Sequence, residues 1–391
     1  MKKSVLFLTN AYPDFDSSYR AVFIKTLAHL LQKEGYNISI VTPKIYKNSH
    51  YFENQNGIKV YRFPFFAGNK RLIEYRNIPY LRMLLYYVSG FFLTVYGVLK
   101  NQCELIHVHW AIPTGLIGIW AGRLLRKPVI VTIHGSDFRM ATERSSFLTK
   151  IFLYVCQRAK QIMCVSELQK KEIQKMGVRT EKILTFPMGV DESFLDAGRN
   201  RGEKLNGQLH TVLSNRNLLP LYNVSLLIRA IPTVLKEEPN TRFFIAGDGP
   251  ERETLEREAK NLNVSSFIEF LGRVPHERMA NLLAKADIYV STSLHDGTSV
   301  SLLEAMGSGT FPVVTDIPSN REWIVDGKNG FLVPIDEAGI LASRILDAIR
   351  NRDLLEKSRS DNLLIVEKKA FWPTNIKRLE GIYSSLFSNM A

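Results

Sequence analysis

One rhythm, run twice, sets what this chain can fold into. Val5–Thr9, Ile38–Thr42, Val60–Phe63, Leu105–His109, Val129–Ile133 and Ile162–Val165 are short apolar runs, mostly β-branched. Amphipathic stretches such as Phe23–Glu34 and Leu148–Arg158 lie between them. Apolar runs of strand length alternating with helices predict a parallel sheet covered on both faces. Around residues 196–210 the sequence turns polar and glycine-rich, as linkers do. The alternation then restarts at Thr211–Ser214, Phe243–Ala246, Phe267–Leu271, Ile288–Ser291 and Phe311–Val314. The expected fold class is α/β, with two doubly wound parallel-sheet domains. A length of 391 residues suits two domains of ~150–200 residues each. The expected boundaries are 1–195 and 205–370, with a closing segment over 371–391.

Charge divides the same way. The net charge is +13, and residues 1–200 hold 28 Lys/Arg against 14 Asp/Glu, while residues 201–391 hold 23 against 24. A basic first half points to an anionic partner, such as a membrane surface, an acidic glycan or a nucleic acid; the alternative is a dispersed solvated surface. No aromatic–basic interleaving accompanies the charge, which argues against nucleic acid. Cys103, Cys156 and Cys164 have no metal-ligand spacing and fit buried thiols in a reducing compartment. The opening apolar run stops at Thr9, too short for a secretory leader, so a first buried strand and a cytoplasmic location are expected. Met83–Leu99 is a 17-residue, largely apolar segment with Arg71, Arg76 and Arg82 before it and Lys100 after it. It is short of the ~20 residues that a spanning helix needs. A core helix of the first domain or a membrane-surface helix accounts for it better.

The densest chemical signal runs from Ser293 to Asp316. A strand leads into a loop of small residues, Gly297, Thr298 and Ser299, and then into a helix. Small residues let backbone N–H groups approach a ligand, and a helix start offers a phosphate unpaired donors and a positive dipole end. Asp296 and Glu304 flank that helix start, where they can address two parts of one ligand. Ser301-Leu-Leu-Glu304 also fits a capping box, in which Glu304 would reach back to a backbone N–H.

This stretch resembles the donor-site signature of the family 4 retaining glycosyltransferases, which have the GT-B fold of two Rossmann-like domains facing across a cleft. That signature has two acids with seven residues between them, then Ala-Met, a Gly and Pro-Val-Val; here the acids are Asp296, where Glu is usual, and Glu304. The resemblance implies that Glu304 binds the donor ribose and that Asp296 lies beside the transferred sugar. Ser214-Asn-Arg-Asn-Leu-Leu-Pro-Leu-Tyr222 resembles the family's diphosphate motif, with Arg216 at its arginine and Tyr222 where a lysine is usual. Arg216, alone or with Arg273, would then balance the leaving diphosphate. Gly247-Asp-Gly-Pro250 resembles the family's strand–turn–helix, with Pro250 expected at the first helical position and Gly247 beside the donor. Phe270-Leu-Gly-Arg-Val274 resembles the segment facing the donor base, and His134-Gly135 the active-site histidine near the transferred sugar. Ala21 stands at a usual glycine, Pro187-Met-Gly-Val-Asp191 resembles a Pro-Asn-Gly-Val-Asp motif, and Phe371-Trp-Pro373 opens a segment resembling the closing helix.

Two further groups are set aside. His107 and His109 are expected on opposite faces of their strand and so not to form a metal pair. Asp14-Phe-Asp16 mimics a metal-binding Asp-x-Asp but follows the first strand, where a solvated loop is expected. The resemblance thus implies retaining transfer of a hexosyl group from a nucleotide-sugar donor to a glycan or lipid-linked acceptor. Asp296, His134 and Arg216 would be catalytic, and Glu304, Gly297, Thr298, Ser299, Arg273 and Gly247 would bind the donor. No cofactor and no metal are expected. The basic first half and Met83–Leu99 suggest peripheral attachment at the inner face of the cytoplasmic membrane, in cell-surface polysaccharide or lipopolysaccharide biosynthesis. A nucleotide-sugar epimerase of the same fold and an inactive nucleotide-sugar-binding module are the alternatives.

Overall fold

The computed structural model describes residues 3–15, 20–66, 68, 79–143, 145–202 and 209–388. Asp16, Tyr19, Arg71, Arg76 and residues 203–208 of the expected linker lie outside them. The chain divides into two compact units, Met1–Phe186 with Ile376–Ala391, and Pro187–Asn375.

Unit 1 holds strands β1 (Ser4–Thr9), β2 (Asn37–Lys44), β3 (Phe52–Gln55), β4 (Ile58–Pro64), β5 (Leu105–His109), β6 (Val129–Ile133), β7 (Gln161–Cys164) and β8 (Ile183–Thr185). Their order is β3-β4-β2-β1-β5-β6-β7-β8. Unit 2 holds β9 (His210–Ser214), β10 (Thr241–Ile245), β11 (Ile268–Phe270), β12 (Ile288–Ser291), β13 (Phe311–Thr315) and β14 (Phe331–Val333), ordered β11-β10-β9-β12-β13-β14. Every pairing is parallel except β3 with β4. The central strands are largely apolar because both faces are covered. In unit 2, Val212, Ile288 and Val313 pack on one face, while Leu213, Tyr289 and Val314 pack on the other against Leu303 and Met306. Both sheets reverse direction beside their first strand, between β1 and β5 and between β9 and β12. The crevice outside the carboxyl ends of strands at such a reversal is where open α/β sheets bind ligands.

β3, β8 and β14 went unpredicted. β8 and β14 have three residues each, too few to show a pattern. β3 is polar (Phe-Glu-Asn-Gln), and its Glu53 meets the buried Arg62 at 2.5 Å. Asp14 corrects the solvated-loop expectation: it is buried, with Arg20 at 2.7 Å and Arg62 at 3.8 Å. The three cysteines are buried free thiols, and the opening apolar run is the fully buried β1.

The first division falls at Phe186/Pro187 rather than near 195, and the last at Asn375/Ile376 rather than at 371. The reason is packing: Val190, Phe194 and Leu195 sit in one cluster with Tyr289, Leu303, Met306 and Phe371, and Val190 bridges to Phe371. The helix Glu192–Arg199 therefore belongs to unit 2, although the expected linker began at 196.

Met83–Leu99 lies within the helix Tyr80–Lys100. Tyr86, Thr94 and Val98 are buried, and Gly90 and Gly97 leave room for Phe63, Ile117, Leu6 and Val41. The opposite face is exposed and equally apolar: Leu81 (86%), Leu84, Val88, Phe92 (67%), Tyr96 and Leu99 (62%). The helix thus packs on the sheet and shows solvent an apolar stripe, where an ordinary surface helix turns a polar face outward.

Gly189 in the Pro-Met-Gly-Val-Asp segment lies under the buried Trp372 ring, and a Cβ there would overlap Trp372 Cδ2. Gly189→Ala should destabilise unit 2 by about 1–3 kcal/mol, the usual cost of overpacking a rigid core. A denaturant titration of both proteins checks this.

Candidate functional site

β9 and β12 pair side by side, with Val212 opposite Ile288 and Leu213 opposite Tyr289. The loops that leave their carboxyl ends are therefore neighbours. The first carries Arg216 and Tyr222, and the second carries Asp296 to Ser299. Hydrogen bonds sew them together: Leu294 N donates to Leu221 O at 2.9 Å, and Thr292 Oγ1 to Asn223 O at 2.8 Å.

Arg216 sits between the two ends of the second loop. Its Nη2 donates to Asp296 Oδ2 at 2.6 Å and its Nη1 to Ser299 Oγ at 2.7 Å. The guanidinium lies over the Tyr222 ring, 4.1 Å from its centroid, and Nε is buried without a partner. Burial opposes the charge most strongly, but Asp296, Tyr289 and Tyr222 together outweigh it, and the guanidinium is held above its ordinary pKa. The aromatic ring at the usual lysine position is thus a platform that fixes the plane of the arginine.

Asp296 Oδ1 accepts from Gly297 N at 2.9 Å. That N–H is thus taken up by the side chain of the residue before it, and Thr298 follows it in the loop. Ser299 caps the helix Val300–Gly307 by accepting from Leu302 N at 3.3 Å. The capping-box expectation is corrected here: the cap is Ser299, not Ser301, and Glu304 does not reach a backbone N–H. Glu304 lies one turn further on, buried, and accepts from His276 Nε2 at 3.0 Å. Burial raises its pKa, and the hydrogen bond from His276 partly offsets this.

His276 was missed in the sequence. It stands on the first turn of the helix His276–Lys285, directly after Pro275. Its Nδ1 lies 3.5 Å from Asp191 Oδ2, and its ring meets Phe194 edge-on at 5.0 Å. The signal available was a lone histidine just past the Gly-Arg-Val segment, with nothing in its spacing to tie it to residue 304.

The remaining donor candidates are placed differently from expectation. A Cβ on Gly247 would overlap Arg216 O, and one on Gly249 would overlap Leu218 O. Gly247 is therefore small so that the Arg216 backbone can pass. The helix expected to start at Pro250 starts at Arg252, after a turn. Arg273 pairs with Asp248 at 3.3 Å on an exposed edge, a different ion pair from that of Arg216.

Unit 1 gathers three of its histidines at the ends of β5 and β6. Residues two apart on a strand share a face, so the expectation that His107 and His109 diverge is wrong. Their rings stack with centroids 4.5 Å apart, and His109 Nδ1 lies 3.2 Å from His134 Nε2. His107 is held by Tyr383 Oη at 2.6 Å and Thr132 Oγ1 at 2.7 Å. Burial lowers the pKa of His107 and of His134 to about 3 and holds that of His109 well below its usual value, so all three are neutral. Trp110 and Phe23 flank the His134 ring at 4.5 and 5.1 Å. Asp137 ties the two strand ends together, accepting from Ala111 N at 2.6 Å and His134 N at 3.1 Å; burial raises its pKa to about 6. Ala21 takes the left-handed backbone, φ +51°, that its usual glycine favours. No group of three His, Cys, Asp or Glu suited to a metal occurs among the described residues.

Residues 21–194 match the family described as Glycosyltransferase Family 4, and residues 199–362 the family Glycosyl transferases group 1. The chain is 26% identical over 390 residues to the alpha-monoglucosyldiacylglycerol synthase of Streptococcus pneumoniae, covering 94% of this chain and 83% of that one. Its fold matches the sucrose-phosphate synthase of Thermosynechococcus elongatus with a TM-score of 0.79 at 16% identity, over 99% of this chain and all of the other. It also matches Anabaena HepE, solved in complex with UDP-glucose, with a TM-score of 0.72 at 17% identity, over 98% of this chain and 99% of the other. The first match takes in the first sheet from β2 onward and the second match takes in all of the second sheet, and the chain belongs to the family 4, group 1 glycosyltransferases, with the GT-B fold.

Proposed function

We propose that this glycosyltransferase moves a hexosyl group from a nucleoside-diphosphate sugar to a lipid or lipid-linked glycan acceptor, with retention at the anomeric carbon and without a metal. The carrying observation is the Arg216 arrangement: one buried cation, fixed on an aromatic ring and hydrogen-bonded to Asp296 and Ser299 at the start of a helix. An oriented cation beside a helix start is what a leaving diphosphate needs, because its charge grows as the glycosidic bond breaks. The UDP-glucose bound by HepE supports a nucleotide-sugar as donor, and the lipid in the name of the pneumococcal relative supports a lipid acceptor.

In this reading Glu304 accepts the ribose hydroxyls, Asp296 lies beside the transferred sugar, and Arg216 carries the diphosphate. His134, kept neutral by burial, orients the sugar as a hydrogen-bonding group rather than as an acid. The acceptor hydroxyl attacks from the face the diphosphate leaves, and its proton passes to the departing phosphate. The protein works at the inner face of the cytoplasmic membrane in cell-surface polysaccharide biosynthesis. The exposed stripe of the helix Tyr80–Lys100, with Arg82 near one end and Lys100 at the other, supplies the contact. Snorkelling cations beside an apolar face suit an anionic bilayer.

Two measurements test this. Arg216→Ala should lower kcat for sugar transfer by about 10²–10³, the loss typical of one transition-state donor, and Glu304→Ala should raise donor KM. An Arg216→Ala enzyme that keeps wild-type kcat sinks the diphosphate role, and epimerised donor formed without acceptor sinks transfer. The wild-type protein should float with anionic liposomes at low salt and less so at high salt. Leu84→Glu with Phe92→Glu should leave it at the bottom of the gradient while sparing transfer to a short soluble acceptor.

A further inference from the structure

The geometry points to His276 as the positioning residue of the donor site, holding Glu304 in place and held in turn by Asp191. This rests on Glu304 being the ribose acceptor.

Glu304 sits mid-helix among buried Leu302, Leu303, Ala305 and Met306, so its backbone cannot adjust to a ligand. Its carboxylate has two oxygens. Oε1 is taken by His276 Nε2, and Oε2 makes no hydrogen bond among the described residues. A vicinal diol needs one carboxylate turned to a fixed angle, and the bond to Oε1 fixes it. Packing does not explain His276, whose side chain is 55% exposed. Its contacts are a carboxylate on each ring nitrogen and the edge of Phe194.

The arrangement works best with His276 protonated. The groups that face it are Glu304 from the helix Val300–Gly307, Asp191 from the segment before Glu192–Arg199, and Glu277 on its own helix; Arg216 acts on Glu304 from the loop after β9. The Glu304 hydrogen bond, chiefly, raises the His276 pKa against the effect of burial, with Asp191 and Glu277 adding to it. The contribution of the imidazolium is therefore complete at low pH and lost as pH rises through that raised value. Above it, a neutral ring can still donate from Nε2, but Nδ1 then turns a lone pair toward the Asp191 carboxylate.

Affinity for a nucleoside diphosphate should accordingly fall on the alkaline side. The test uses calorimetric titration of the full chain with uridine, adenosine, guanosine and thymidine diphosphates, the tightest being followed from pH 6 to 9. His276→Gln should bind about tenfold more weakly at pH 6.5, near the low end of what a hydrogen bond to a charged group is worth, and should lose the alkaline fall. At saturating donor its kcat for transfer should stay within about twofold of wild type, because a uniform binding loss appears in KM. Asp191→Asn should keep the fall but move its midpoint to lower pH, an effect that loss of packing would not produce. Wild-type affinity in His276→Gln, or an alkaline fall that persists in it, overturns the proposal, as does an unmoved midpoint in Asp191→Asn. Undiminished binding by Glu304→Ala overturns instead the ribose reading beneath it.

Discussion

A guanidinium removed from water must be compensated, and much of unit 2's functional end follows from how Arg216 meets that requirement. Removing one partner of a buried pair costs ~3–5 kcal/mol, because the other charge is left behind. Asp296 therefore cannot be spared by the fold, whatever it does to a sugar. The pair is possible only because β9 and β12 are adjacent, which puts the two strand-end loops within one side chain of each other. Gly247 extends the same constraint to β10, since only a residue without a Cβ lets the Arg216 backbone run past it. Fold and site share one physical condition: the loops stay where Arg216 holds them.

The corresponding strand ends of unit 1 take the opposite solution. This half carries most of the excess positive charge, yet His107, His109 and His134 are buried and neutral there. Desolvation of three adjacent imidazoles makes protonating any one of them costly. Tyr383 and Thr132 fix His107, and His109 lies against His134. One unit thus holds a fixed, paired cation at its strand ends, and the other holds neutral hydrogen-bonded rings.

Much of this was legible in the residues. Short unbroken apolar runs set most strands to within a residue or two, because a strand covered on both faces has no polar positions to blur its ends. The loop between β12 and the helix Val300–Gly307 was legible because strand, small residues and helix follow one another in sequence. What stayed hidden depends on contacts between distant residues. Nothing local separates a Glu304 that caps its own helix from one bonded to His276, 28 residues earlier. The burial of Asp14 depends on Arg62, two strands away. The histidines of β5 failed for another reason: the two-residue period of a strand puts positions 107 and 109 on the same side, and the opposite assignment misapplied it.

Two of the departures from the family pattern, at residues 222 and 296, belong to one arrangement. Tyr222 replaces a cation and Asp296 shortens an acid, and each looks like a loss when taken singly. The ring under Arg216 removes the freedom of a long side chain, so one arginine presents its charge in a single plane. A second cation at position 222 would lie against the first and compete for Asp296. The shorter acid fits the same geometry, because a carboxylate one methylene closer to the backbone can accept from both Arg216 and the N–H of Gly297. With fewer charges and less freedom, the site relies on orientation in place of excess positive potential. That choice suits a chain whose surplus of positive charge lies in the other unit.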